Sequence, residues 1–402
     1  MFQLYNHGLQ KFPIKVWLEA PVQIESGCLQ QAINLSNLPF LHKWVALMPD
    51  THEGFGMPIG GVIAVEGVII PNAVGVDIGC GMAYLETNLH KSDLTMDMLQ
   101  TIVGNIMRDI PTGFSHHKKR QECRAIERFK KVLGEHSSPL DRALWEEVES
   151  GYYQVGTLGG GNHFIELQED EQGMVCIMIH SGSRNFGYKI ARHFNEVAKE
   201  LNRKMSAPVP REYDLAFLPV DTEEGQSYVR WMDLALDFAR ENRDKMLLVV
   251  KDILAQAFPR IEFHNEINAH HNYAALENHY GEDVWVHRKG AIRVRKGEMG
   301  IVPGAMGSFS YIVEGLGNPE SFYSCSHGAG RKMGRKEALR EIPAEKTMAD
   351  LKELGVVLGK QKKADISEES RFAYKDIDFV ISQELDLVKP VKKLKTLAVV
   401  KG

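Results

Sequence analysis

The chain has 402 residues, 44% of them hydrophobic and 25% charged, the make-up of a globular protein and not of a disordered or low-complexity one. Acidic residues outnumber basic ones 53 to 48, a formal net charge of −5. No overall positive field therefore marks a nucleic-acid binder, and any such partner has to be held by a local patch.

The first part of the chain reads as strands and turns. Val45–Met48 is a short apolar run, Gly60–Val65 and Gly67–Ile70 flank a Glu-Gly turn, Val74–Val76 leads into Asp77, and Met82–Leu85 follows a second glycine pair. Leu94, Leu99, Ile102, Val103 and Ile106 fall at helical spacing and predict a helix over 94–110, closed by Pro111-Thr-Gly. Thr112–Arg120 reads as a loop and Pro139–Ser150 as a second helix. The longest helical pattern runs from Ser227 to Phe258, with apolar residues at three- and four-residue steps, Arg and Asp residues opposite them, and Pro259 as its stop. Val284–His287 and Ala291–Val294 read as a strand pair across a basic turn. Pro343 should end or kink the charged helical stretch around it, and the tail Val388–Val400 alternates basic and apolar residues.

The length allows two or three domains. No Ser/Pro/Gly-rich linker separates the halves, which predicts one catalytic domain over 1–402. Apolar runs such as Val62–Val65 are strand-length, well below the roughly 20 residues of a membrane-spanning helix. Met1–Lys15 lacks the basic start and apolar run of a secretory signal. The five cysteines form no regular framework, so a reducing, cytoplasmic location is expected. Of these, Cys28, Cys123 and Cys176 read as inert core residues.

Gly, His, Asp, Asn and Cys concentrate in a few segments. In Val74-Gly-Val-Asp-Ile-Gly-Cys-Gly, a Gly-bearing turn can aim Asp77 and Cys80 at one point. In Gly156-Thr-Leu-Gly-Gly-Gly-Asn-His, three glycines can present backbone N–H groups to an anion, with Asn162 and His163 following at once. His180 stands where the apolar strand Val175–Ile179 gives way to a polar turn, His271 lies in His270-His271-Asn272-Tyr273, and His327 lies in Ser324-Cys-Ser-His-Gly-Ala-Gly-Arg. Any one of these is ordinarily just a turn, a capped strand end or, for Lys118–Arg120, a solvated loop. Their accumulation favours metal or phosphate chemistry. Thiolate with imidazole suits zinc, while a carboxylate and open positions leave room for manganese. A neutral histidine such as His327 can also attack phosphorus, with an arginine such as Arg331 stabilising the phosphoryl oxygens.

MPDTHEG (48–54), AVGVDIGCGM (73–82), GTLGGGNHFIE (156–166), HSGSR (180–184), HHNY (270–273), RKGA (288–291), SCSHGAGR (324–331), YKDID (374–378) and VKG (400–402) together resemble the RtcB family of RNA-splicing ligases over essentially the whole chain. The resemblance implies a mixed α/β catalytic domain with a central metal- and nucleotide-binding cleft. It implies joining of RNA 3′-phosphate or 2′,3′-cyclic phosphate ends to 5′-hydroxyl ends with GTP and two manganese ions. His327 is then the nucleophile that takes GMP, and Asp77, Cys80, His163, His180 and His271 are the metal ligands. Asn162, Glu166, Ser310, Tyr374 and Lys401 fall at guanylate-contact positions, with Gly328, Ala329 and Gly330 lying along the ribose and α-phosphate. Arg184 and Arg335 fall where RNA phosphates would be met. A monomer and an archease-type activator are further implications. Departures from the family pattern include Ala305 in place of a common Ser, Asn185 in place of Gly, and Met333-Gly334; the first removes a hydroxyl near the nucleotide. A phosphodiesterase that opens cyclic ends without joining them, needing the metal site and not His327, is the competing activity. A non-catalytic RNA-binding homologue is a third reading.

Overall fold

The computed structural model describes residues 1–133, 138–360 and 365–402. It is a mixed α/β fold built around two large sheets. In the first, the strands lie in the order Phe2–Leu4, Ile14–Val16, Leu41–Phe55, Met57–Val65, Glu282–Lys289 and Asn272–His279. In the second the order is Phe263–His270, Gly81–His90, Met174–Ser181, Phe164–Glu169, Val388–Lys401, Phe309–Gly315 and Met299–Val302, with Val357–Gly359 branching from Val388–Lys401. The outer strands Phe263–His270 and Met299–Val302 come back into contact, so this second sheet is nearly closed like a barrel.

The longest helix, Glu223–Ala257, packs across one end of the nearly closed sheet and against the helix Arg184–Lys204. Thr222 caps it by accepting the Gly225 N–H, and Glu223 and Glu224 complement the helix dipole in the first turn. Of its predicted apolar stripe, Met232, Ala239, Met246, Val250, Ile253 and Leu254 are buried, while Val229 and Leu236 are half-buried against the same core. The same buried side also carries two polar residues: Asn242, four residues from both Phe238 and Met246, and Arg243, four from Ala239, are fully buried. Among the described residues no helix is long and apolar enough to cross a membrane.

Four expectations need correction. The helix expected over Pro139–Ser150 is two segments, Pro139–Arg142 and Trp145–Gln154. Asp141 is buried in the first and accepts from Ser227 and Trp231 of the long helix, a tertiary anchor that outweighs helical continuity. Val74 closes a helical turn, Pro71–Val74, and not a strand. His180 does not leave its strand, which runs on through Ser181. Glu282–Lys289 and Ala291–Arg293 do not pair with each other. The former lies between Asn272–His279 and Met57–Val65, and the latter pairs with Ser324–Ser326. Gly290 turns the chain between them at φ +64, and its N–H is taken by the His271 carbonyl and Asn272 Oδ1. A side chain there would run into Ile59 and reach the His327 ring. The helix read over 94–110 forms as Met96–Asp109, and the alternating basic and apolar tail forms the strand Val388–Lys401.

Candidate active site

The metal-type residues converge because of strand register. Phe263–His270, Gly81–His90, Met174–Ser181 and Phe164–Glu169 are successive neighbours in the nearly closed sheet, with His270 opposite Gly81, Met82 opposite His180, and His180 opposite Phe164. His271, Cys80, His180 and His163 therefore stand together at one end of four adjacent strands. His271 also occupies the single residue between a strand of one sheet and a strand of the other. Cys80 Sγ lies 3.2 Å from His180 Nε2 and 3.5 Å from His163 Nε2. His180 Nε2 is 3.4 Å from His271 Nε2, and Asp77 Oδ2 is 3.1 Å from His163 Nε2. The turn read from the sequence is present: the Cys80 N–H donates to the Asp77 carbonyl at 3.1 Å.

These residues fit a divalent cation. Ligands at roughly 2.1 Å (N) and 2.3 Å (S) from one tetrahedral ion lie about 3.6 Å apart, close to the spacings seen. The His180 Nδ1 donates to the Asn162 carbonyl at 3.1 Å, which leaves its Nε2 lone pair facing the cluster, while the His163 ring is held with Nδ1 3.0 Å from the Leu158 carbonyl and Nε2 toward Asp77. Burial, joined by the neighbouring imidazoles, holds His180 and His271 well below the usual histidine range, so both are neutral donors. Burial and the Asp77 carboxylate push the Cys80 thiol well up. Burial also acts to raise Asp77, but the His163 hydrogen bond and the Arg184 charge outweigh it and hold that carboxyl at about 2. Cys80, His163 and His180 are a buried group able to hold a metal ion. Cys80→Ala is expected to weaken divalent-cation binding, followed by calorimetry, by more than the roughly 10- to 100-fold that losing an outer-sphere partner costs. Unchanged affinity would remove Cys80 from the ligand set.

Two buried side chains of the long helix hold this arrangement. Arg243 donates to the Gly79 and Ser181 carbonyls, each at 2.9 Å, next to Cys80 and His180. The Asn242 side chain accepts from the Gly156 and Thr157 N–H groups and donates to Thr157, Ser181 and Gly182. Three motifs far apart in sequence are thus tied to one turn of helix. Sequence reading missed both, because nothing local in the helix shows which buried carbonyls and N–H groups a polar side chain on its apolar side will meet.

His327 follows the short strand Ser324–Ser326 and packs beside the cluster, its ring centroid 4.8 Å from that of His271. Asp50 orients it: Oδ2 accepts the His327 N–H at 3.1 Å and Nδ1 at 2.6 Å. Gly330 closes the loop at φ +72, where a side chain would collide with the Asp50 backbone carbonyl. Asp50 belongs to the quoted MPDTHEG motif, yet nothing in the spacing assigns it a partner 277 residues away. Lys375 of the YKDID segment locks the same corner by donating to the Pro49 and Thr51 carbonyls.

His327 lines two adjoining cavities. One also contains Asn162, Glu166, His180, Gly328, Ala329, Gly330, Tyr374 and Lys401. Here Glu369, which the sequence did not single out, accepts from Tyr374 Oη at 2.8 Å and Lys401 Nζ at 3.3 Å. Glu166 receives Gln168 and Thr396 on one carboxylate oxygen, and burial lifts its pKa to about 7. The other cavity contains Asp77, Cys80, His163, His271, Arg184 and Arg335. Ser310 lines neither: it is buried behind the Pro303–Ala305 turn, where its Oγ accepts the Gly304 N–H and a Gln168 N–H. Arg331 is likewise committed to Tyr374, Glu369 and the Met333 and Glu368 carbonyls, and so acts as a brace for the wall. Ala305 stands in the first cavity and Asn185 in the second.

A family model described as "tRNA-splicing ligase RtcB" matches residues 31–402. The chain is 39% identical to the RNA-splicing ligase RtcB of Escherichia coli K12, with 97% of each chain covered. It is 30% identical to the tRNA-splicing ligase RtcB of Pyrobaculum aerophilum (98% of this chain, 95% of the relative). Against the RNA-splicing ligase RtcB of Mycobacterium bovis it is 31% identical (92% of this chain, all of the relative). The chain belongs to the RtcB family of RNA ligases and is an RNA ligase enzyme.

Proposed function

We propose that this ligase joins RNA 3′-phosphate or 2′,3′-cyclic phosphate ends to 5′-hydroxyl ends, using GTP and manganese through a covalent His327–GMP intermediate, with 1–402 acting as one catalytic domain. The observation that carries this reading is the position of His327, shared by two cavities, with Nδ1 fixed by Asp50 and Nε2 left as the nucleophilic atom. Attack by Nε2 on the GTP α-phosphorus forms the N–P bond as the bond to the bridging oxygen breaks, and pyrophosphate departs. Asp50 stabilises the positive charge that develops on the ring. Transfer of GMP to an RNA 3′-phosphate frees the imidazole again. The 5′-hydroxyl then attacks that activated phosphorus and GMP leaves. Manganese held by Asp77, Cys80, His163, His180 and His271 would neutralise phosphate charge and align attacking and leaving oxygens; the Asp77 carboxylate leaves room for that ion beside a thiolate and imidazoles that also suit zinc.

Guanine fits the first cavity chemically. It offers O6 and N7 acceptors to a donor such as Lys401 Nζ, and N1–H and N2–H donors to a carboxylate such as Glu166, whereas adenine places a donor at position 6. Asn162, Gly328, Ala329 and Gly330 line the same cavity as that wall and His327. Ser310 supports the turn carrying Ala305 and would act on the nucleotide through it. RNA splicing and RNA repair present the same ends to such a site. A cytoplasmic, monomeric enzyme, assisted by an archease-type activator, is consistent with this reading.

Incubation with α-labelled GTP and Mn²⁺ is expected to leave acid-labile label on the wild type and none on His327→Ala. Failure of the wild type to label, with activator present, would refute the intermediate. Hydrolysis of cyclic ends that persists in His327→Ala, with no joined product from the wild type, would favour the phosphodiesterase instead.

A further inference from the structure

The wall of the metal-bearing cavity carries a feature that neither metal nor nucleotide chemistry uses. Phe114 lines this cavity, yet its ring is fully exposed to solvent. It does not sit on a loose tip. On one side the Gly113 N–H donates to the Gly159 carbonyl at 2.9 Å, and Thr112 bridges to Gly159. On the other the His117 N–H donates to the Tyr153 carbonyl at 3.0 Å, and the His117 ring reaches the Gly156 carbonyl at 3.2 Å. The loop is therefore stitched to the glycine-rich segment that leads to His163, and it holds an apolar ring out into water. Tyr188, one helical turn beyond Arg184, is a second exposed aromatic side chain lining the same cavity. Lys118 and Lys119, next along the loop, are exposed and form no ion pair among the described residues.

Unpacked aromatic faces beside unpaired cations, at the opening of a cavity that ends on the nucleophile, match single-stranded nucleic acid: bases stack on the rings and phosphates meet the cations. We propose that Phe114, with Tyr188, is the stacking platform for the nucleobases of the RNA ends that enter the metal-bearing cavity. The proposal rests on the RNA-ligase reading for its substrate class. It does not rest on the guanylylated intermediate.

The test is fluorescence anisotropy with the full chain and no GTP, using two short RNAs: one ending in a 3′-phosphate, the other in a 5′-hydroxyl, each labelled at its far end. Phe114→Ala should weaken binding of at least one by about 5- to 150-fold, the range for loss of one stacked base. Phe114→Trp should restore it, and the salt dependence should keep its slope because no phosphate contact is lost. Replacing the terminal nucleotide by an abasic one should erase the gap between wild type and Phe114→Ala, and the RNA in which it does so identifies the end that stacks. Equal binding of both RNAs by Phe114→Ala, a gap that survives the abasic change, or no RNA binding by the wild type overturns the proposal. Covalent labelling by α-labelled GTP should be unchanged in Phe114→Ala. A wild type that binds RNA but never labels therefore sinks the histidine intermediate and leaves the platform standing.

Discussion

Asp50→Asn is expected to slow covalent labelling by α-labelled GTP by roughly 10³- to 10⁴-fold, the scale of effect when a carboxylate that orients a catalytic imidazole becomes an amide. Asp50 is fully buried, and its Oδ1 has no hydrogen-bond partner, so the carboxylate is balanced through Oδ2 by the His327 backbone and ring. A carboxylate can only accept, which keeps the proton on Nδ1 and the lone pair on Nε2. An amide can turn its NH₂ toward Nδ1, which stabilises the tautomer with the proton on Nε2, the wrong one for attack. It also withdraws the negative charge that offsets the developing imidazolium. Single-turnover labelling measures the step directly, and Mn²⁺ affinity should be nearly unchanged because Asp50 is not a ligand. Labelling at the wild-type rate would show that Asp50 does not orient the nucleophile.

The second large effect is on stability. Arg288 and Glu277 form a buried ion pair at 2.6 Å, with His279 also on Glu277 at 3.1 Å. Arg288→Met leaves the buried carboxylate with only His279 and the more distant, half-exposed Arg295 at 3.9 Å, and is expected to cost about 3–5 kcal/mol, read as a lowered urea midpoint. The double change Arg288→Met/Glu277→Leu should recover much of that loss, since the penalty lies in the orphaned charge; no recovery would mean that the ion pair is not its source. Burial by itself would raise the Glu277 carboxyl, but Arg288 and His279 hold it far below the carboxylate range. A depressed folded-state pKa means that this contribution is complete above an unfolded-state pKa of about 4.3 and is lost as pH falls further. Activity should fall with stability, because Arg288 also donates to Ser324 Oγ and the Phe322 carbonyl, both at 2.9 Å, on the segment leading to His327.

Much of the site was legible because its chemistry lies in contiguous motifs. The Asp77–Cys80 turn, the glycine run before His163 and the His327 loop are local structures whose residue types state their purpose. The family resemblance named candidate ligands and a candidate nucleophile, and strand register brings four of them, Cys80, His163, His180 and His271, to one end of the sheet. What stayed hidden are partners distant in the chain. Asp50 against His327, Glu369 against Tyr374 and Lys401, and Asn242 and Arg243 beneath three motifs each read as an ordinary polar residue.

By itself the sequence determined the helical period of the long helix, the alternating pattern of the tail and the roster of reactive groups, because periodicity and residue chemistry are local properties. Only the tertiary structure decided that Ala291–Arg293 pairs with the His327 segment and not with the strand just before it. It also decided that Ser310 supports a turn and does not line the cavity, and that Asn242 and Arg243 are buried beneath the Cys80 and His180 strand ends. The reason is common to all three. Backbone groups and buried charges must find partners wherever packing places them, and the partner that packing supplies can lie hundreds of residues away.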